Sequence, residues 1–163
     1  MWMSPSTTPV GAVRKAFETI GMATVAKSAQ EAVDIGYFRY TDGITMNRDR
    51  LLYDAKQRAL SMAENYTPPE KQTDVRLGGE GAKMALDLAV SDLRKSGKAT
   101  PYDVVVSDHL ANVLSGGGKD YTETLSEDDF LKLELQEFMK LLRNDGTLER
   151  IESMLSTGKP LRN

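Results

Sequence analysis

Apolar residues recur at helical spacing along almost the whole chain, and a glycine or proline halts each run within a few turns. A chain written this way is confined to short and medium helices that must find one another to cover their apolar stripes. Val13, Phe17 and Ile20 form the first stripe, at i, i+4 and i+7. Ala82, Ala85, Leu86, Ala89, Val90 and Leu93 keep near-ideal spacing until Gly97. Thr100 supplies a cap, Pro101 a first helical residue without a needed N–H, and Asp103 an acid at the third position, together a strong helix start. That helix is expected to bury Tyr102, Val105, Val106, Leu110 and Val113 and to end at Gly116-Gly117-Gly118. Ser126 with Asp129 opens the next, which runs to about Arg143. Its stripe is Leu131, Leu135, Phe138 and Leu142, with Phe130, Leu133 and Leu141 widening the face. Leu148, Ile151 and Leu155 mark a last short helix between Asn144-Asp145-Gly146 and Gly158.

The first half is less regular. Ser28 and Glu31 have capping-box spacing, in which each side chain satisfies a backbone N–H that the helix leaves unpaired. Gly36 then ends a short helix, because glycine takes the left-handed conformation cheaply. Tyr37-Phe38-Arg39-Tyr40, the Thr41-Asp42-Gly43 turn and Ile44-Thr45-Met46 permit either a small β-hairpin over 37–46 or an irregular extended loop. Asn47 or Asp49 caps a longer helix reaching to about Asn65, with a stripe of Leu52, Ala55, Ala59, Met62 and Ala63. Pro68-Pro69 stops it, and residues 67–79 carry few apolar side chains, as a linker or surface crossing would. Residues 1–9 read as a disordered lead and 10–163 as a single helical domain. The expected fold is all-α, an irregular bundle of six to seven short-to-medium helices.

At 163 residues one domain buries roughly two-thirds of the surface its unfolded chain exposes. A net charge of -3, with 21 basic residues scattered among 24 acidic ones, leaves no basic patch and argues against nucleic acid as a partner. Cysteine is absent, which excludes disulfides and thiolate chemistry and fits a reducing cytoplasm. No apolar run approaches the ~20 residues that span a bilayer, and Met1-Trp2-Met3-Ser4-Pro5 does not read as a signal peptide.

His109 is the sole histidine, so histidine chemistry would have to use it. Ser107 and Asp108 adjoin it in sequence, but helix neighbours one or two apart do not face each other, which rules out a local triad. It is expected to be a packed, hydrogen-bonded structural residue. Glu134 sits at the i+3 slot of the Leu131–Leu142 stripe. It must pair with an arginine or with helix N–H groups, or reach solvent; the sharper reading is an acid/base carboxylate. Leu77-Gly78-Gly79-Glu80-Gly81 precedes a helix but lacks the dinucleotide spacing, the preceding strand and the Walker ending, so it reads as a helix start. Glu127, Asp128 and Asp129 complement a helix dipole. The basic end, Lys159-Pro160-Leu161-Arg162-Asn163, reads as a solvated tail, or as an anchor for another chain or domain through Leu161, Lys159 and Arg162.

Several segments, in order and spacing, carry a resemblance: Ala16-Phe17-Glu18-Thr19-Ile20, Ser28-Ala29-Gln30-Glu31-Ala32, Ile44-Thr45-Met46-Asn47-Arg48-Asp49-Arg50-Leu51, Gly97-Lys98-Ala99-Thr100-Pro101-Tyr102-Asp103 and Gly158-Lys159-Pro160-Leu161-Arg162-Asn163. From about Val13 to Asn163 the chain resembles the C-terminal region of fused 3-hydroxyacyl-CoA dehydrogenase/enoyl-CoA hydratase (crotonase-like) proteins of fatty-acid β-oxidation. Residues 28–36 also look like the post-catalytic helix of crotonase-type hydratases. The resemblance implies a parent in which an NAD-binding Rossmann domain oxidises 3-hydroxyacyl-CoA with a histidine and a glutamate, while a crotonase core holds the thioester enolate. None of those motifs can be placed here, so no catalytic, cofactor-binding or metal residue carries over to any numbered position. No cofactor is expected in this chain; NAD and a CoA thioester are implied for the parent. What the resemblance implies for this chain is packing on the catalytic domains, on neighbouring subunits, or on a second copy of itself. Tyr37, Phe38 and Tyr40 would then line an acyl tunnel or fill an ordinary core. A freestanding helical protein–protein interaction module and a small acyl-CoA-binding protein, with Glu134 or His109 active, are the alternatives.

Overall fold

The computed structural model describes residues 8–163; most of the expected lead, at 1–7, lies outside them. Seven α-helices, one 3-10 turn and two short strands follow one another: α1 (Pro9–Gly21), α2 (Ala29–Ile35), the 3-10 turn (Arg48–Arg50), α3 (Leu51–Ala63), β1 (Val75–Arg76), α4 (Gly79–Lys95), α5 (Pro101–Ser115), β2 (Thr124–Leu125), α6 (Glu127–Leu141) and α7 (Asp145–Thr157). The all-α reading holds. None of the helices is long and apolar enough to cross a membrane among the described residues. Contacts divide the chain into two compact units, one of Thr24–Glu70 and one of residues 8–23 with Lys71–Asn163.

The larger unit is built on α5, against which α1, α4 and α6 all pack. Thr8 caps α1 by accepting the Gly11 N–H at 3.2 Å. Val13 and Phe17 of its stripe are buried, whereas Ile20 points outward. Ala82, Leu86 and Val90 of α4 and Ala111 of α5 complete the core, with Val104, Leu110 and Leu114 leaning on it. The alanines let α4 and α5 approach closely, and the leucine and valine fill the space between them. Of the five residues expected inside α5, only Val113 is buried; Tyr102, Val105, Val106 and Leu110 are half-covered, and Ala111 and Ser115 take the deepest places. The Thr100 capping box forms as expected, its hydroxyl accepting from the Asp103 N–H at 3.0 Å and the Asp103 carboxylate from the Thr100 N–H at 2.9 Å.

The β structure lies elsewhere than at 37–46. Val75 pairs with Leu125 and Arg76 with Thr124 in an antiparallel ladder that joins the approaches to α4 and α6, anchored by buried Leu125. At the end of α5 the triple glycine turns left-handed throughout. A Cβ on Gly117 would stand 2.8 Å from a methyl of Leu133, so this glycine lets α6 come close. That approach corrects the expected face of α6. Leu131, Leu135 and Phe138 are exposed, and Phe130, Leu133, Glu137 and Leu141 form the covered side. Helix α7 is likewise turned: Leu148, Ile151 and Leu155 face out, and no α7 residue is buried.

In the smaller unit Ser28 caps α2 by accepting the Glu31 N–H at 3.1 Å. The reciprocal arm differs from the expected box, for the Glu31 carboxylate accepts from Lys27 at 2.6 Å rather than from Ser28. Gly36 ends the helix in the left-handed conformation. Residues 37–46 take the irregular-loop alternative. A lone hairpin is marginal in water, and here side chains engage the backbone instead: Asp42 accepts the Arg39 N–H, Arg58 donates to the Thr41 carbonyl and the Tyr37 hydroxyl to that of Thr24. Asn47 caps the 3-10 turn, accepting from Asp49 at 3.0 Å, and α3 continues from it without a side-chain cap of its own. Only Ala32 and Val33 are buried in this unit, and α3 buries nothing.

Candidate functional site

Two polar clusters stand out, both in the larger unit. The first joins α5 to α6. His109 Nδ1 lies 2.5 Å from Glu137 Oε2, and Lys140 Nζ lies 2.5 Å from Glu137 Oε1. Glu137 is 4% exposed. Burial pushes its carboxyl up, but the hydrogen bonds from Lys140 and His109 outweigh that and hold it below the ordinary carboxylate value. A buried carboxylate with both oxygens engaged by donors is stable as an anion, and it fixes the orientation of the imidazole. His109 is therefore hydrogen-bonded and mostly covered, as expected of it.

Its partner was not legible. The sequence draws attention to Glu134, three residues earlier, which is exposed. Exposure satisfies the solvent alternative for Glu134. Glu137 shares a helix face with Phe130, Leu133 and Leu141, and a carboxylate at i+4 from Leu133 on that face was the available signal.

The second cluster is centred on Asp103. Arg150 of α7 donates to its Oδ1 at 2.8 Å and Arg162 of the tail to its Oδ2 at 3.0 Å. Burial pushes this carboxyl up, and the Thr100 backbone, Arg162 and Arg150 more than reverse the effect, leaving it well below the usual carboxylate range. Arg150 also stacks 5.0 Å above the Tyr102 ring, and the Tyr102 hydroxyl lies 2.6 Å from that of Thr147. A Cβ on Gly146 would stand 2.7 Å from the Tyr102 ring, so glycine is needed for that contact. Residues 159–162 are exposed, as a solvated tail would be, yet Arg162 and Asn163 hydrogen-bond back onto their own chain.

The glycine-rich stretch does follow a strand, contrary to expectation. However, β1 is two residues long and antiparallel to its partner, and a dinucleotide unit needs a parallel strand–helix–strand. An open depression of about 740 Å³ lies at the start of α4. Among the described residues its lining sets Glu80, Asp120 and Glu123 against Arg76 alone. Three carboxylates repel a pyrophosphate, so these residues do not fit NAD. The acidic run at 127–129 occupies the first turn of α6, where Asp129 accepts from the Ser126 N-cap hydroxyl at 2.6 Å and Asp128 pairs with Lys71 at 2.9 Å. Tyr37, Phe38 and Tyr40 are exposed, so they fill no core within this chain. Among the described residues no three His, Cys, Asp or Glu side chains converge as a metal site would require.

Fold and clusters together define a helical chain whose charged groups tie helices to one another. No family model matches it, and no solved structure does. It is similar to a probable 3-hydroxyacyl-CoA dehydrogenase of Bacillus subtilis (strain 168), at 37% identity over 155 residues, or 95% of this chain. The chain spans 20% of the length of that curated relative. The likeness is therefore to a segment of a 3-hydroxyacyl-CoA dehydrogenase, covered almost end to end.

Proposed function

We propose that the chain is the C-terminal helical portion of a fatty-acid β-oxidation protein. That parent would be a 3-hydroxyacyl-CoA dehydrogenase joined to an enoyl-CoA hydratase-like, crotonase-type region, working in the cytoplasm. Within it the chain packs against the catalytic domains or neighbouring subunits and turns over no substrate alone. NAD and the CoA thioester belong to the other part of the parent.

The observation that carries this reading is the 37% identity of nearly the whole chain with one fifth of the relative. The small unit supports a packing role. Its Tyr40, Met46 and Leu52 are 90%, 93% and 83% exposed, and full burial of a large apolar side chain is worth ~1.5–3 kcal/mol. Large apolar side chains this exposed support a surface that a neighbour covers.

The test uses the chain and, expressed separately, the remaining four fifths of the relative. The chain alone is expected to leave both 3-hydroxyacyl-CoA with NAD and enoyl-CoA unchanged, to bind an apolar dye, and to bind the separate part. Turnover by the chain alone that disappears in His109→Ala or Glu134→Gln would overturn the reading, as would failure to bind both dye and partner.

A further inference from the structure

Helix α7 buries no residue fully. Its best covered residues are Gly146, Thr147, Arg150 and Ser153, while Leu148, Ile151 and Met154 are only partly covered and Leu155 is 82% exposed. With the Tyr102 ring against Gly146 as its main apolar contact, an inner face otherwise small and polar gains little from apolar burial. The side chains that do hold it converge from three places. Asp103 at the start of α5 receives Arg150 and Arg162. Asn163 receives the Arg150 Nε–H at 2.8 Å and donates to the Gly146 carbonyl at 3.1 Å and to the Glu149 carboxylate at 2.8 Å. Arg162 donates also to the Lys98 carbonyl at 2.9 Å. The chain end thereby reaches back to the first turn of the helix it follows, and to the turn before α5.

We propose that the Lys159–Asn163 segment is a latch. Arg162 and Asn163 fix α7 on the Asp103 end of α5 and hold its apolar stripe outward; when they let go, α7 comes away as a unit and the core of α1, α4 and α5 stays closed. The separation is possible because α7 contributes no residue to that core, so its docking equilibrium lies below the global one. The two arms differ in shelter. Arg150 and Asp103 are mostly covered, while Arg162 is exposed, and salt screens the exposed arm first.

Amide hydrogen exchange on the full chain tests this, comparing the native protein with a variant lacking Arg162 and Asn163 and with Arg162→Gln. Charge-assisted hydrogen bonds of this kind set the expected scale: α7 amides exchange about tenfold or more faster in the truncated protein, with a smaller rise in Arg162→Gln. Amides of α4 and α5 keep their native rates, and raising salt speeds α7 exchange in the native protein but not in the truncated one. Unchanged α7 exchange on truncation would overturn the latch. So would an equal loss of protection in α4 and α5, because the tail would then belong to one cooperative unit with the core.

Discussion

Helices α3 and α4 are close relatives in composition and opposites in fate. Each carries alanines along one side with larger apolar residues at helical spacing: Leu52, Ala55, Ala59, Met62 and Ala63 in one, Ala82, Ala85, Leu86, Ala89, Val90 and Leu93 in the other. Around α4 the stripe meets α1 and α5, and Ala82, Leu86 and Val90 vanish from solvent. Around α3 no residue is buried. The same kind of stripe is covered in one helix and left open in the other. The smaller unit has two buried residues and side-chain hydrogen bonds to its loop backbone, whereas the larger one has a core and two polar clusters.

The widest gap between the two units should appear on truncating a leucine. Leu86→Ala is expected to destabilise the protein by about 2–5 kcal/mol in denaturant titrations, and Leu52→Ala by no more than about 0.5 kcal/mol. Similar values for both would break the comparison. Next in size is Glu137→Ala, which leaves a mostly buried imidazole without its acceptor and should cost about 1–3 kcal/mol; a neutral result would mean that α5 and α6 are joined by apolar packing alone.

Acid sharpens the same contrast. The folded-state carboxyl of Asp103 is held below its ordinary value, because burial is outweighed by the hydrogen bonds from Thr100, Arg162 and Arg150. Its contribution is therefore complete above the unfolded value of about 3.9 and is lost as pH falls from there through the folded value. Asp103→Asn should lower the melting temperature at neutral pH and flatten its fall between about pH 4 and pH 2. An acid limb identical to the native one would place the titration elsewhere. The smallest expected change concerns the other unit: Met46→Ser with Tyr40→Ser should reduce apolar-dye fluorescence while moving stability by less than about 0.5 kcal/mol. Unchanged dye signal would shift the apolar surface to the outer faces of α6 and α7.

Much of the helix inventory could be read directly. Ser28 before α2, Thr100 and Asp103 before α5, and Ser126 with Asp129 before α6 all cap as their spacing requires, and Gly36, Gly116 and Gly158 end helices in the left-handed conformation. Glu31 shows the limit of that precision, since its carboxylate takes the Lys27 N–H instead of the neighbouring one. The candidate site was less legible. His109 is hydrogen-bonded as expected, but to Glu137, one turn beyond the exposed Glu134 that interrupts the apolar stripe.

The sequence by itself thus determined where helices begin and end, because caps and stops involve atoms only three or four residues apart. It determined the close α4 stripe for the same reason. The tertiary structure alone decided which side of α6 and α7 turns inward. Gly117 admits Leu133, Glu137 meets a histidine 28 residues away, and Asp103 gathers Arg150 and Arg162 from 47 and 59 residues along the chain. When a helix has apolar residues on two sides, periodicity ranks neither; a buried charge that must find its donors, and a glycine that permits approach, settle the rotation.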